Sequence, residues 1–194
     1  MQRLKKLYTS LVVPQLKKRF NYKNDYEVPK LKKIIINRGF GESCQNSKVL
    51  ENLANELKLI SGQKPLVTKS RKAISNFKVK ENMPIGMFVT LRGRKMYGFL
   101  DRLINLALPR IKDFRGLSTK GLTDVNLCSY TLGLTEQQMF PEIEFDKITK
   151  IEGMNICIVT SAKSSLEVFI LLRGLGMPLQ STNLNPKFLV EDII

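Results

Sequence analysis

The sequence predicts an α+β fold, a mostly antiparallel sheet with helices packed on one face and the other face open. Three observations predict it. Residues 47 to 60 and 96 to 108 place apolar side chains every three or four positions, the repeat of a one-sided helix. The isoleucine run within 32 to 37 and the alternating residues 87 to 92 are strand signals. Helical and strand segments are interspersed without the strict alternation that would mark a parallel sheet.

The elements follow in chain order. Leu4, Leu7, Leu11 and Leu16 give residues 3 to 19 a helical spacing, with Pro14 as a kink or break inside it. A loop over 21 to 28 ends at Pro29. The strand at 32 to 37 is followed by a turn at Gly39 and Gly41. The helix at 47 to 60 presents Val49, Leu50, Leu53, Ala54, Leu57 and Ile60 on one side, and Gly62 can cap it in the left-handed conformation. Residues 65 to 70 read as a short strand. Residues 71 to 84 show no period and read as a basic loop of fourteen residues; such long loops in compact domains tend to be functional or disordered.

Alternation over 87 to 92 sets Phe88, Thr90 and Arg92 on one side and Met87, Val89 and Leu91 on the other. Phe88 is expected in the core. The helix at 96 to 108 stops at Pro109, and a loop covers 110 to 116. Residues 127 to 134 and 155 to 160 read as further strands. Ser164 and Glu167 form a capping box that opens a helix over 166 to 175, ended by Gly174 and Gly176. Residues 1 to 180 are expected to make a single domain, with 181 to 194 an extension of unassigned role.

Composition narrows the chemistry. No apolar stretch approaches the roughly 18 to 20 residues of a membrane-spanning helix. The basic N-terminus is not followed by an apolar segment and cleavage site, so it does not read as a secretory signal. The chain has no histidine, which removes histidine-based triads and most histidine metal sites. Its three cysteines, Cys44, Cys128 and Cys157, are widely spaced and form no zinc or disulfide pattern. Cys128 and Cys157 read as small core residues.

The formal net charge is +15, unevenly distributed. Residues 1 to 97 hold 22 basic and 6 acidic side chains, whereas residues 98 to 194 hold 10 and 11. That asymmetry points to a polyanion gripped mainly by the first half.

Asn37, Arg38, Gln63, Lys64, Thr68, Lys69, Thr90 and Arg92 each fall in or beside a proposed strand. Amide and hydroxyl groups interleaved with cations suit RNA, which is recognised through phosphates, 2′-hydroxyls and shape. The same residues are equally consistent with an ordinary solvated strand face. The basic loop over 71 to 83 reads either as an arm reaching a second RNA or as a solvated lysine-rich loop. Gly39 and Gly41 lack the third glycine and the lysine of phosphate-binding loops, so a turn is the better reading. Glu142, Glu144 and Asp146, at every second position, would share one side of a strand. They could hold a divalent ion, although a solvated face or a protein-docking patch explains them better.

Several longer stretches resemble one family. They are Ile36-Asn-Arg-Gly39, Ile60-Ser-Gly-Gln-Lys-Pro-Leu-Val-Thr-Lys-Ser-Arg-Lys72, Pro84-Ile-Gly86, Val89-Thr-Leu-Arg-Gly93, Leu108-Pro-Arg-Ile-Lys-Asp-Phe-Arg-Gly-Leu-Ser118 and Phe140-Pro-Glu-Ile143. In order and spacing they resemble the bacterial form of the universal 5S-rRNA-binding ribosomal protein family, number five of the large subunit. The likeness covers roughly residues 3 to 180. It implies a non-catalytic constituent of the large subunit, with no cofactor and no metal, located in a bacterial cytoplasm or a plastid. The Lys-, Asn- and Ile-rich composition hints at an AT-rich, plastid-type genome.

The resemblance implies that an open sheet face docks 5S rRNA in the central protuberance. Asn37, Gln63, Lys64, Thr68, Thr90 and Arg92 match the family's positions, and Arg38, Lys69 and Arg71 are grouped with them. The long loop, with Ala73, Ser75, Asn76, Lys78 and Lys80, is expected to contact P-site tRNA. Arg110, Lys112, Phe114, Arg115, Glu142 and Glu144 are expected to bridge to a basic protein of the small-subunit head. Further expected partners are 23S-type rRNA and neighbouring large-subunit proteins, with no membrane. Two departures stand out: residues 180 to 194 run past the end of the bacterial pattern, and 121 to 128 lack a glycine-rich charged turn. The alternatives are a general RNA-binding protein off the ribosome, an RNA-modifying enzyme built on Glu142, Glu144 and Asp146, and a peripheral membrane protein held by the basic half.

Overall fold

The isoleucine run lies near the middle of a six-stranded sheet. A computed structural model describes residues 2–41, 47–123, 128–144 and 151–180. The strands are β1 (Leu31–Gly39), β2 (Leu66–Lys69), β3 (Pro84–Leu91), β4 (Leu122–Thr123), β5 (Ser129–Leu134) and β6 (Met154–Thr160). Their spatial order is β2-β3-β1-β6-β5-β4, and every neighbouring pair is antiparallel. The sheet therefore matches the expected architecture, and both halves of the chain contribute strands to it.

Alternation sorts the side chains. Ile34 and Ile36 of β1, Met87, Val89 and Leu91 of β3, and Met154, Ile156 and Ile158 of β6 all point to one face and are buried. Against them pack Leu53, Leu57 and Ile60 of α3 (Ser47–Ser61), Met96, Phe99 and Leu100 of α4 (Gly93–Arg102), and Val168, Leu171 and Leu172 of α5 (Ser165–Gly174). Truncating one of these fully buried aliphatic side chains to alanine costs about 2 to 5 kcal/mol through lost burial and the cavity left behind.

The predicted helix boundaries mostly hold, for the predicted reasons. Gly62 adopts φ +65°, and its N–H donates to the Lys58 carbonyl at 2.8 Å. Ser164 caps α5: its hydroxyl accepts from the Glu167 N–H at 3.3 Å, and the Glu167 carboxylate accepts from the Lys163 N–H at 2.8 Å. The N-terminal helix differs from expectation. It does not break at Pro14. The α1 turn (Arg3–Leu7) passes through a wider π turn at Tyr8–Val12 into α2 (Val13–Phe20).

The same device follows α4, where a π turn at Leu103–Ala107 precedes Pro109. A proline ring collides with the carbonyl four residues earlier, and here those carbonyls belong to Ser10 and Asn105. Both lie inside the π turns, whose looser winding relieves the clash.

Three other expectations change. Residues 71 to 83 are not structureless: they extend the β2–β3 pair as a hairpin arm closed by hydrogen bonds between Ile74 and Val79. Residues 141 to 144 form a turn rather than a strand, so Glu142 and Glu144 do not share a strand face, and Asp146 lies outside the described residues. Cys128 is buried as expected, but Cys157 is half-buried on the face away from the core. Cys44, residues 124–127 (the last of them the first position of the predicted strand 127 to 134) and the tail 181–194 also lie outside the described residues.

Candidate nucleic-acid interface

The face opposite the helices is assembled by strand register. Directly paired residues in antiparallel strands project to the same side. Asn37 pairs with Phe88 on β3 and with Asn155 on β6. Phe88 pairs onward with Leu66, and Asn155 with Gly133. The next row joins Thr90, Ile35, Cys157 and Thr131. Thr68 pairs with Gly86, which pairs with Gly39. No residue of the six described strands is an aspartate or glutamate.

Glycine keeps part of this face flat. A Cβ at Gly86 would sit 2.9 Å from the Arg38 carbonyl oxygen and 3.4 Å from Thr68 Oγ1, so no larger residue fits without a backbone shift. Gly39 leaves bare backbone beside it, and Asn37 and Thr68 are exposed on either side.

Gln63 reaches the same neighbourhood from the end of α3. Ser61 Oγ accepts from the Gln63 N–H at 3.2 Å and donates to the Leu57 carbonyl at 2.6 Å, which fixes the backbone leaving the helix. The Gln63 carboxamide then donates to the Thr90 carbonyl over a long 3.5 Å. Both side chains are half-buried. Lys64, Lys69, Arg71 and Arg92 are exposed around the β2–β3 side. The structure thus brings together Asn37, Gln63, Thr68 and Thr90, with four cations at their border.

Arg38 does not belong to this group. Its side chain projects to the core face and has no solvent exposure. Its Nη1 lies 2.9 Å from Glu56 Oε2 of α3, and its Nε lies 3.7 Å from Glu152 Oε2 ahead of β6. The expectation of an RNA contact is corrected here for a simple reason: Arg38 is one residue out of step with Asn37 in a period-two strand. Its charge is matched internally by carboxylates from two other elements.

Phe88 is a correction in the opposite sense. It lies half-buried on the open face between Leu66 and Asn37, not in the core. Asn155 and Thr131 are exposed residues of the same face that sequence reasoning missed. Their strands were legible, but only the β1–β6–β5 pairing shows which face each shares.

The hairpin arm carries the second set. The Ser70 N–H donates to the Met83 carbonyl at 2.8 Å and the Asn82 N–H to the Ser70 carbonyl at 3.0 Å, closing its base. A 3₁₀ turn at Ser75–Phe77 and a left-handed Lys78, φ +52°, make its tip. Ala73, Ser75, Asn76, Lys78 and Lys80 are all exposed, as expected. So are Ile74 and Phe77, the latter at 75%, which sequence reasoning passed over.

The third set is divided. Arg110, Ile111 and Lys112 line one wall of a groove of about 590 Å³, with Thr135, Glu136, Gln138 and Met139 on the other. Phe114 packs half-buried against the core, and Arg115 is exposed. Glu142 has an internal role: its carboxylate meets Arg102 Nη1 at 2.5 Å, and Arg102 Nη2 donates to the Ile60 carbonyl at the end of α3. Glu144 is exposed.

The described strands carry no carboxylate, and Lys64, Lys69, Arg71 and Arg92 border their open face, a distribution of charge that suits an anionic partner. Comparison with known proteins makes this specific. Residues 24–80 match the family described as ribosomal protein L5, and residues 84–179 match the C-terminal part of the same ribosomal family. The chain is 60% identical over 178 residues to large ribosomal subunit protein uL5c of Euglena gracilis, covering 92% of this chain and 98% of that protein. It is 57% identical over 180 residues to uL5c of Tetradesmus obliquus, covering 93% and 99%. It is 54% identical over 181 residues to uL5 of Geotalea daltonii, covering 93% and 100%. The chain belongs to the ribosomal protein L5 family.

Proposed function

We propose that this chain is a structural, non-enzymatic constituent of the large ribosomal subunit, in a plastid or bacterial ribosome, and that its open sheet face binds 5S rRNA and helps anchor it in the central protuberance. Residues 1 to 180 act as one ribosomal-protein domain in this reading. The observation that carries it is the convergence of Asn37, Gln63, Thr68 and Thr90 on a face whose strands hold no carboxylate. Neutral amides and hydroxyls can engage 2′-hydroxyls and base edges. Lys64, Lys69, Arg71 and Arg92 neutralise phosphates, so affinity falls steeply with salt.

The hairpin arm extends toward P-site tRNA, with Lys78 and Lys80 as phosphate contacts and Phe77 at its tip. The groove between Arg110–Lys112 and Thr135–Met139, together with the exposed Arg115 and Glu144, docks a protein of the small-subunit head. Neighbouring large-subunit proteins and 23S-type rRNA are the remaining partners.

Filter binding to 5S rRNA tests the central claim. Gln63→Ala combined with Thr90→Ala is expected to weaken binding by about 1 to 3 kcal/mol for each hydrogen bond to RNA that is removed. Deleting residues 75 to 80 is expected to leave 5S binding intact while lowering tRNA occupancy of assembled ribosomes. Unchanged 5S affinity in the double variant removes these residues from the interface.

A further inference from the structure

We infer that the RNA-contacting surface does not end at β1 but crosses onto β6 and β5, with Asn155 as a contact residue. This rests on the reading proposed above and extends its footprint.

The row Leu66, Phe88, Asn37, Asn155, Gly133 runs through five neighbouring strands with each member directly opposite the next. Four interstrand steps span about 19 Å. Only the Leu66-to-Asn37 part lies on β2, β3 and β1, the strands that carry Asn37, Thr68 and Thr90. The rest of the row is chemically continuous with it. Asn37 and Asn155 are both exposed, and each carboxamide offers two donors and an acceptor.

Beyond them, Gly133 is exposed and has no side chain to hold a ligand away. A Cβ built there would meet Asn155 Oδ1 at an ordinary 3.5 Å. Thr131, in the adjacent row, is exposed as well. Neither β5 nor β6 carries a carboxylate to repel phosphate.

Fold stability does not account for the asparagines. Asparagine is depleted in strands, and the two central strands of a sheet favour β-branched residues. Here two asparagines face each other across β1 and β6, where both side chains could instead be valine or threonine. A polar pair in that position costs sheet stability and supplies hydrogen-bonding groups to the open face. Those groups are neutral, so their contribution to RNA affinity is local hydrogen bonding and not counterion release.

The experiment is filter binding of full-length protein to 5S rRNA across a salt series. Asn155→Val is expected to keep or raise the melting temperature, because valine suits a strand, while weakening RNA affinity about fivefold for the single hydrogen bond removed. The slope of log affinity against log salt should not change. Lys64→Ala, by contrast, should reduce that slope by roughly 0.7 to 0.9. Gly133→Val, which needs no unusual backbone angle, should weaken binding by obstructing the same row. If both valine variants bind like wild type while Asn37→Ala is weakened, the footprint stops at β1 and this inference is wrong, although the proposed function stands. If the wild-type protein itself does not bind 5S rRNA, the proposed function fails and this inference fails with it.

Discussion

Asn37 and Arg38 are adjacent in the chain and face opposite sides of one sheet. The asparagine is exposed among glycines, threonines and a second asparagine. The arginine is sealed beneath the helices between Glu56 and Glu152. In a protein with so large a positive charge, the arginine is the residue that first suggests a phosphate contact. The structure gives that charge to the core and leaves the neutral amide of Asn37 on the open face. The difference teaches that net charge identifies the kind of partner, while strand phase decides which side chains can reach it.

The largest effect that would break this comparison is on stability. Arg38→Met leaves two largely buried carboxylates without their guanidinium, and removing one member of a buried ion pair costs about 3 to 5 kcal/mol. Urea denaturation should show that loss, whereas Asn37→Ala should stay within about 0.5 kcal/mol of wild type, as exposed sites usually do. Equal stability of the two variants, with RNA binding abolished only in Arg38→Met, would reverse the assignment of the faces.

A second, smaller effect concerns the helix-covered side. Burial pushes the Tyr130 phenol from 10.0 up to about 12, and its hydroxyl donates to the Ser118 carbonyl at 3.0 Å. Burial, with a further contribution from neighbouring Tyr97, pushes Tyr8 up to about 12; it donates to the Pro29 carbonyl at 3.1 Å. Both phenols are held neutral in the folded state, while in the unfolded chain they ionise near 10. Their contribution is therefore complete below pH 10 and is lost as pH rises toward 12. Denaturation midpoints should be flat in this respect up to pH 10 and fall above it. Tyr130→Phe should make the fall shallower, and an unchanged alkaline profile in that variant would exclude Tyr130 as a cause.

The smallest effect sharpens the comparison on the open side. Cys157 is half-buried on that face, and Cys128 is in the core. In a Cys44→Ser background, a thiol reagent should modify Cys157 in the native protein and Cys128 only on unfolding. Saturating 5S rRNA should slow the Cys157 reaction several-fold. Undiminished reactivity would mean that RNA does not cover β6.

Much of this was legible because local rules and tertiary demands agree. The apolar stripe of residues 47 to 60, the alternation of 87 to 92, the Gly62 cap and the Ser164–Glu167 box each need only neighbours within a few positions. The site was legible in part for a different reason: its motifs resemble a family. Register was not legible. Phe88 was expected in the core although its own alternation set it opposite Met87 and Val89, because a lone strand does not announce which of its sides the helices will cover. Glu142 looked like one of an acidic set until the fold brought Arg102 to it from α4.

The chain's own order of residues determined the helices, the strands, the polyanion-seeking charge and the absence of histidine chemistry, since each depends on composition or on spacing along a short segment. Only the packed molecule decided that Arg38 turns inward, that Asn155 stands opposite Asn37, and that residues 71 to 83 form a tied arm. Those outcomes depend on which strands become neighbours, and pairing between distant segments is settled by burial of the whole apolar face at once.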